Sequence, residues 1–448
     1  MSEDTLPHQN ARTLARWIHL LKVPNTVECP SMKILGHDFE EPLFTGTGQI
    51  HIRSRTQMEF TMNATARDGA EAFKRLVRSQ KNPYNVHDQF RLLATQYDGT
   101  EWNAGWTTLR MGDTLGDTWR LSGPVNSLMT AVSGPYVAPT SSIEVVYDSK
   151  LRMPLPLNMS TSIRRGDKEV LRKSEQGGKT IEVAGTQIDF FVDPELDATW
   201  AVAETSADFP HPHAENWVSE PFCLLLGQLV FPRLVARNFC DRAAIWLRPS
   251  PAIKMDTIAA SILQEDPLGA HNRFWEVYHQ ILTMIARARD EDGGRNFEAH
   301  PLTHYYHEAI QATRGSNWVW CLTLASIVEG VAKLLTPEAE RKSDYAPEEI
   351  EGLKNHIKEW QGDKDLRGRI LNSVKLAESK GIVQILKKLK DDGTIGSDHI
   401  DAWQTVRNQV MHGELVSLGS EQKLEERMRL LTELMHRLSK KYIVQHSS

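Results

Sequence analysis

The strongest constraint on the fold of this chain is a change of hydrophobic period partway along it. From about Phe44 to Val192 the sequence runs in short alternating or β-branched stretches separated by turn residues. After the segment Phe209-Pro-His-Pro-His213, apolar residues recur every three or four positions and continue so to the end. Alternation sends successive side chains to opposite faces of a strand, whereas the longer spacing keeps them on one side of a helix. One stretch cannot satisfy both periods. The expected class is therefore α+β: a β-rich N-terminal domain, either a sandwich or an open barrel, followed by an all-α half. The expected divisions are residues 1–215 for the β-rich domain, 216–305 for a helical connecting region and 306–448 for a helical bundle.

Strands are expected over Gln49 to Met62, over Phe90 to Trp102 around the turn Asp98-Gly99, and over Ser142 to Asp148. A further pair is expected around Gly177-Gly178, ending in Thr186 to Val192. One helix, Asp68 to Gln80, interrupts them. Tyr97, Trp102, Trp106 and Trp119 concentrate aromatic rings in one sheet region, where core packing is the simplest role and a recognition surface the alternative. Gly46-x-Gly48 is too short a glycine pattern for a phosphate loop, and no nucleophile elbow or paired-carboxylate site stands out, so no active site is expected in this half. Further on, Pro221 to Val235, interrupted by Gln228, Pro232 and Arg233, reads as a buried helix. Asn317 to Leu335 reads as an apolar helix with a lone acid, Glu329, in its second half.

The remaining composition narrows the class. The 448 residues suffice for two or three domains with substantial cores. Four cysteines, Cys29, Cys223, Cys240 and Cys321, lack metal-type spacing and read as buried thiols in a reducing cytoplasm. The acidic start, Met-Ser-Glu-Asp, does not resemble a secretory signal, and no uninterrupted apolar run reads as a membrane span. A net charge of −6 argues against a general nucleic-acid binder, although a local basic groove remains compatible with it. Lys387, Lys388 and Lys390, with Arg367 and Arg369, are the candidate phosphate contacts; a solvated helix face is the plainer reading of each cluster. His304, His307 and Glu308 share a helical face near His300, but no further ligands with matching spacing appear, so neither a metal nor any other cofactor is expected.

Chemistry concentrates instead at Arg407-Asn408-Gln409-Val410-Met411-His412-Gly413. An arginine, an asparagine and a histidine supply a phosphate-binding cation, an orienting group and a proton carrier, the parts needed to cleave a phosphodiester without a metal. Looser pairs of arginine and histidine occur at Arg273 to His279, Arg295 to His300 and Arg429 to His436. The second is flanked by Gly293-Gly294 and Pro301, so it reads as a loop leading into a helix. The segment at 407 differs: Ser397-Asp398 offers an N-cap, the pattern then stays helical, and Gly413 offers a stop. At about 100° per residue, Trp403, Val406 and Val410 share one face while Asp401, Thr405, Asn408 and His412 align on the opposite one. Arg407 projects roughly 140° away from His412, so one helix alone does not assemble a complete site.

This segment resembles the R-N-x-x-x-H motif of HEPN domains, small helical bundles of prokaryotic nucleases and toxins, over roughly the last third of the chain. Glu329 on an apolar helix and Trp403 one turn before Arg407 fit the same pattern. With its β-rich first half, the chain looks like the ApeA-type anti-phage HEPN proteins. That second likeness is looser and rests on Gly46-Thr-Gly-Gln-Ile, Asp98-Gly-Thr-Glu-Trp102 and Trp119-Arg-Leu-Ser-Gly123. The resemblance implies an endoribonuclease acting as a homodimer on RNA, with tRNA as one candidate. Arg407, Asn408 and His412 would be catalytic, with Glu329, Asp401 and Thr405 in support, and a phage protein would be the trigger read by the N-terminal domain. Two other readings stay open: a non-catalytic HEPN module for RNA binding or assembly, and the toxin of a toxin-antitoxin pair.

Overall fold

The computed structural model describes residues 13–37, 41–115, 117–147, 151–155, 159–165, 168–175, 177–193, 196–250, 261–264, 270–337, 341–343, 345–376, 378–411 and 421–447. The protein is α+β, with its sheet in the N-terminal part and helices making up the C-terminal half. The chain divides into two compact units. One comprises Met1–Glu220 with Val230–Lys254, the other Pro221–Leu229 with Met255–Ser448.

The first unit opens with β1 (Asn25–Gly36), β2 (Phe44–Ile52), β3 (Met58–Ala66), helix α1 (Gly69–Lys81) and β4 (Phe90–Thr95). There follow β5 (Glu101–Thr107), β6 (Arg110–Leu115), β7 (Thr118–Pro124), β8 (Leu128–Ser133) and β9 (Ser141–Tyr147). Next come β10 (Met159–Arg165), β11 (Lys168–Glu175), β12 (Gly178–Val183), β13 (Thr186–Asp193) and β14 (Ala198–Glu204). Helix α2 (Ala214–Leu226) then precedes β15 (Leu234–Phe239) and β16 (Arg242–Leu247). Apart from the separate β10–β11 ribbon, the strands form one 14-stranded sheet in the order β12-β13-β14-β9-β15-β16-β8-β5-β4-β1-β2-β3-β7-β6. The order is open, and a single hydrophobic core draws on strands from both halves of it, including Phe60, Leu92, Trp102, Leu128, Trp200 and Ile245.

Local chemistry explains several of these elements. Asp68 starts α1 by accepting from the Ala70 and Glu71 amides, which would otherwise lack partners in the first turn. β12 and β13 turn at Ala184-Gly185, both with positive φ (52° and 69°), the twist a two-residue hairpin requires. The pair expected around Gly177-Gly178 is therefore not a hairpin: β11 pairs with β10, and β12 with β13. Gly46 and Gly48 lie in β2, where a methyl group would overlap the Asn63 and Thr61 carbonyl oxygens of β3. Their role is close strand approach.

One expectation is overturned. Helical periodicity does not continue unbroken after residue 213, and the buried helix read over Pro221 to Val235 ends at Leu226. β15 and β16 lie between β9 and β8 in the middle of the sheet. Leu234, Val235 and Ala236 of β15 are buried in succession, whereas β16 alternates buried Ala243, Ile245 and Leu247 with half-buried Ala244 and Trp246. In both strands the apolar residues are consecutive in the sequence, and such short runs carry no period that separates strand from helix. On β9 and β15 one face receives the first turns of α2: Ser219 hydrogen-bonds the Tyr147 hydroxyl at 2.9 Å, and the fully buried Glu215 carboxylate pairs with Arg237.

The second unit contains α3 (Ala270–Arg287), α4 (Pro301–Ala312), α5 (Asn317–Leu335), α6 (Pro347–Glu359), α7 (Lys364–Leu376), α8 (Ile382–Asp391), α9 (Ser397–Met411) and α10 (Glu421–Ser447). Helix α5 is packed on by α4, α8, α9 and α10, so the bundle is built around it. It has the length and mean hydropathy, 1.5, of a membrane-crossing helix, which the sequence reading did not anticipate. The burial of Cys321, Leu324, Val328 and Val331 instead fits a bundle core. Helices α6 and α7 pair as a hairpin with a small core of their own, Ile350, Ile357 and Val374.

His300 is the N-cap of α4, its Nδ1 accepting from the Leu302 amide at 3.1 Å, as expected of a loop leading into a helix. Burial, followed by the neighbouring His446 and His304, pushes this imidazole down to about 4. Burial shifts His307 in the same direction. Between pH 6.5 and 4 the unfolded chain binds a proton at His300 that the folded chain refuses, so stability falls as pH falls through that window. His300 alone is expected to cost roughly 3 kcal/mol at its lower end. Urea unfolding at pH 7 and pH 4.5 checks this, with His300→Asn, which keeps a capping acceptor, flattening the dependence.

Candidate functional site

Helix α9 carries Asp401, Thr405, Arg407 and Asn408 of the residues singled out in the sequence, and its apolar stripe explains how they are held. Trp403, Val406 and Val410 are buried, and the Trp403 indole N–H donates to the Ala325 carbonyl of α5 at 3.0 Å. That contact fixes the rotation of α9 against α5. One turn further along both helices, the Arg407 guanidinium stands 3.7 Å from the Glu329 carboxylate, and its carbon lies 5.6 Å from the centre of the Trp403 ring. Matching advance on both helices means that α5 and α9 run parallel here.

Arg407 is 41% exposed and Glu329 30%, so the pair sits at the surface and is open to a ligand. Glu329 also receives Lys333 at 2.9 Å, one turn along α5. Lys333 escaped the sequence reading, although a lysine four residues after the singled-out acid is a recognisable helical pair. The arrangement is a surface cation flanked by an acid and a second cation, on the rigid floor of a buried indole. Such an ion pair contributes under about 1 kcal/mol to stability, so a phosphate can displace Glu329 at little cost. Guanidinium and ammonium groups are suited to phosphate oxygens.

Asn408 and Asp401 are exposed and Thr405 half-buried, on the side of α9 away from Trp403. His412 and Gly413 lie outside the described residues. The remaining basic candidates fall elsewhere. Lys387, Lys388 and Lys390 are exposed on α8, and Arg369 is exposed on α7. Arg367 closes the α6–α7 turn by donating to the Lys358 and Trp360 carbonyls at 3.4 and 3.1 Å, a structural role that competes with RNA contact. His304 and His307 stand 6.4 Å apart between ring centres, and among the described residues no cluster of three metal-type ligands forms. In the first unit, Trp102 is buried in the core, whereas Tyr97 is 82% exposed and Trp106 36%.

Two further histidines of this unit are buried, the second of them from the looser Arg429 to His436 pair. His399, in the first turn of α9, accepts from the Gly396 amide at Nδ1 (3.1 Å) and approaches Glu433 of α10 with Nε2 (3.5 Å). His436 of α10 is paired with the Tyr306 hydroxyl at 2.7 Å. Comparison of the chain with family models, with curated proteins and with solved structures returned no match.

Proposed function

We propose that the protein is a metal-independent endoribonuclease of the anti-phage HEPN kind, acting in the cytoplasm as a homodimer on RNA, with tRNA a candidate substrate. The observation that carries this reading is the Arg407 guanidinium, held at the surface of α9 over Trp403 and beside Glu329, with the exposed Asn408 next to it. In the proposed reaction a base takes the proton of a ribose 2′-hydroxyl and the oxygen attacks the adjacent phosphorus. The bond to the 5′-oxygen breaks, and an acid protonates that oxygen. Products are a 2′,3′-cyclic phosphate and a 5′-hydroxyl. His412 from each of two protomers divides the two proton transfers, Arg407 stabilises charge on the phosphoryl oxygens, and Asn408 orients the imidazole or a phosphate oxygen. The β-rich unit is the restraint in this scheme, releasing activity in response to a phage protein.

The test is expression of wild type, Arg407→Ala and His412→Ala with and without phage challenge, followed by sequencing of RNA ends. Cyclic-phosphate ends in wild type alone, with loss of protection in both variants, are the expected outcome. Protection by the variants equal to wild type would sink the proposal.

A further inference from the structure

Between α5 and α10 the helical unit holds an open cleft of about 450 Å³, within the range of roughly 300–1,000 Å³ typical of small-molecule sites. Trp320 and Met428 supply its apolar lining, and Glu425, Arg429, Glu433 and His436 its polar groups. His436 is 1% exposed and held by Tyr306, so one wall is rigid.

Charge decides what fits. The Arg429 guanidinium is already engaged by Glu426 and Glu433, whereas Glu425 is exposed and makes no ion pair among the described residues. An anionic phosphate would meet acids in this cleft, and a ligand rich in hydrogen-bond donors would meet acceptors. A carboxylate accepts two parallel donors best. Among RNA bases, guanine alone presents two adjacent donors, N1–H and the 2-amino group, on its Watson–Crick edge. Unstacked bases are commonly read on that edge while packed against an aromatic or apolar side chain, the part Met428, one turn along α10 from Glu425, can play.

Position supports the same ligand. Helix α9 ends at Met411 and α10 begins at Glu421, and His399 near the start of α9 meets Glu433, so the two helices run antiparallel. At about 1.5 Å rise per residue, Arg407 lies about 12 Å along α9 from His399, and Glu425 about the same distance along α10 from Glu433. Glu425 is thus level with Arg407, and the cleft extends from that level towards the start of α9. A short stretch of extended RNA spans this distance. We infer that the α5–α10 cleft is a guanine-binding subsite, with Glu425 accepting from the base edge, Met428 one turn along α10 packing on the ring, and Trp320, nearer the start of α9, left to a neighbouring base. As a substrate-selecting element it rests on the ribonuclease reading; as a nucleoside site it does not.

The test uses full-length protein with guanosine, inosine, adenosine and uridine as probes, followed by calorimetry and ligand-observed NMR. Guanosine is expected to bind saturably and about tenfold or more tighter than inosine, which lacks the 2-amino group. Glu425→Gln, which sets an amide donor against the donors of guanine, is expected to abolish that preference without moving the thermal midpoint. Equal or absent binding of all four nucleosides overturns the subsite. In cleavage assays a guanosine at a fixed offset from the cut is expected, and the preference should vanish in Glu425→Gln. Cleavage that depends on Arg407 yet shows no base preference overturns the subsite and leaves the nuclease reading intact. Guanosine binding without cleavage under any trigger keeps the nucleoside site and overturns its assignment to a nuclease.

Discussion

Arg407→Ala is expected to slow RNA cleavage by about a hundred- to a thousandfold while the protein melts within a degree or two of wild type. The rate effect is the size seen when one preorganised group that stabilises transition-state charge is removed. The small thermal effect follows from exposure: the side chain is 41% accessible and its Glu329 partner 30%, so the lost pair is worth under about 1 kcal/mol. Arg407→Lys should recover part of the rate, because an ammonium keeps the charge and loses the planar fork. Single-turnover cleavage beside a thermal melt separates the two effects. An unchanged rate would remove Arg407 from the reaction. Glu329→Gln adds the converse arm: with its competing acid neutralised, Arg407 should bind RNA more tightly, most visibly at low salt.

The second large effect is on stability. Trp403→Ala is expected to destabilise the helical unit by about 3–5 kcal/mol, the usual range for removing a large buried ring. The indole is 2% exposed, donates to Ala325 and underlies Arg407, so its loss removes packing between α5 and α9 together with the floor of the site. Trp403→Phe keeps most of the apolar area and should cost markedly less. Urea unfolding followed by far-ultraviolet circular dichroism checks both. A loss under about 1 kcal/mol for the alanine variant would mean that α9 is not anchored through this ring.

Much of this was legible in the sequence where one period runs long enough to be unambiguous. The span read for the apolar helix, Asn317 to Leu335, is the span of α5, and Asp68 marks the start of α1. Trp403, Val406 and Val410 fall inside, as a period of 3.6 requires. Legibility fails where burial erases the period. β15 is covered on both faces at Leu234 to Ala236, β16 is apolar at consecutive positions although its burial alternates, and both follow a helix, so their apolar runs read as more helix. At the site, sequence spacing along α9 named Arg407 and its neighbours, and the acid on α5 was singled out separately. That the two meet depends on the parallel pairing of α5 with α9, which no local pattern encodes. The cleft is hidden for the same reason, since Trp320 and Glu425 belong to helices far apart in the chain.

The position of β15 and β16 sets the rules for taking this protein apart. Because they follow α2 in the chain and sit between β9 and β8 in space, no single cut near residue 215 releases an intact sheet. A fragment ending there would bare the long edges of β9 and β8, and bare edges template aggregation. On the ribosome, too, the sheet cannot close until residue 247 has emerged, by which point the whole of α2 has already been made. A working N-terminal fragment must therefore run to about residue 254, and it will carry with it Pro221–Leu229, a piece of the other unit.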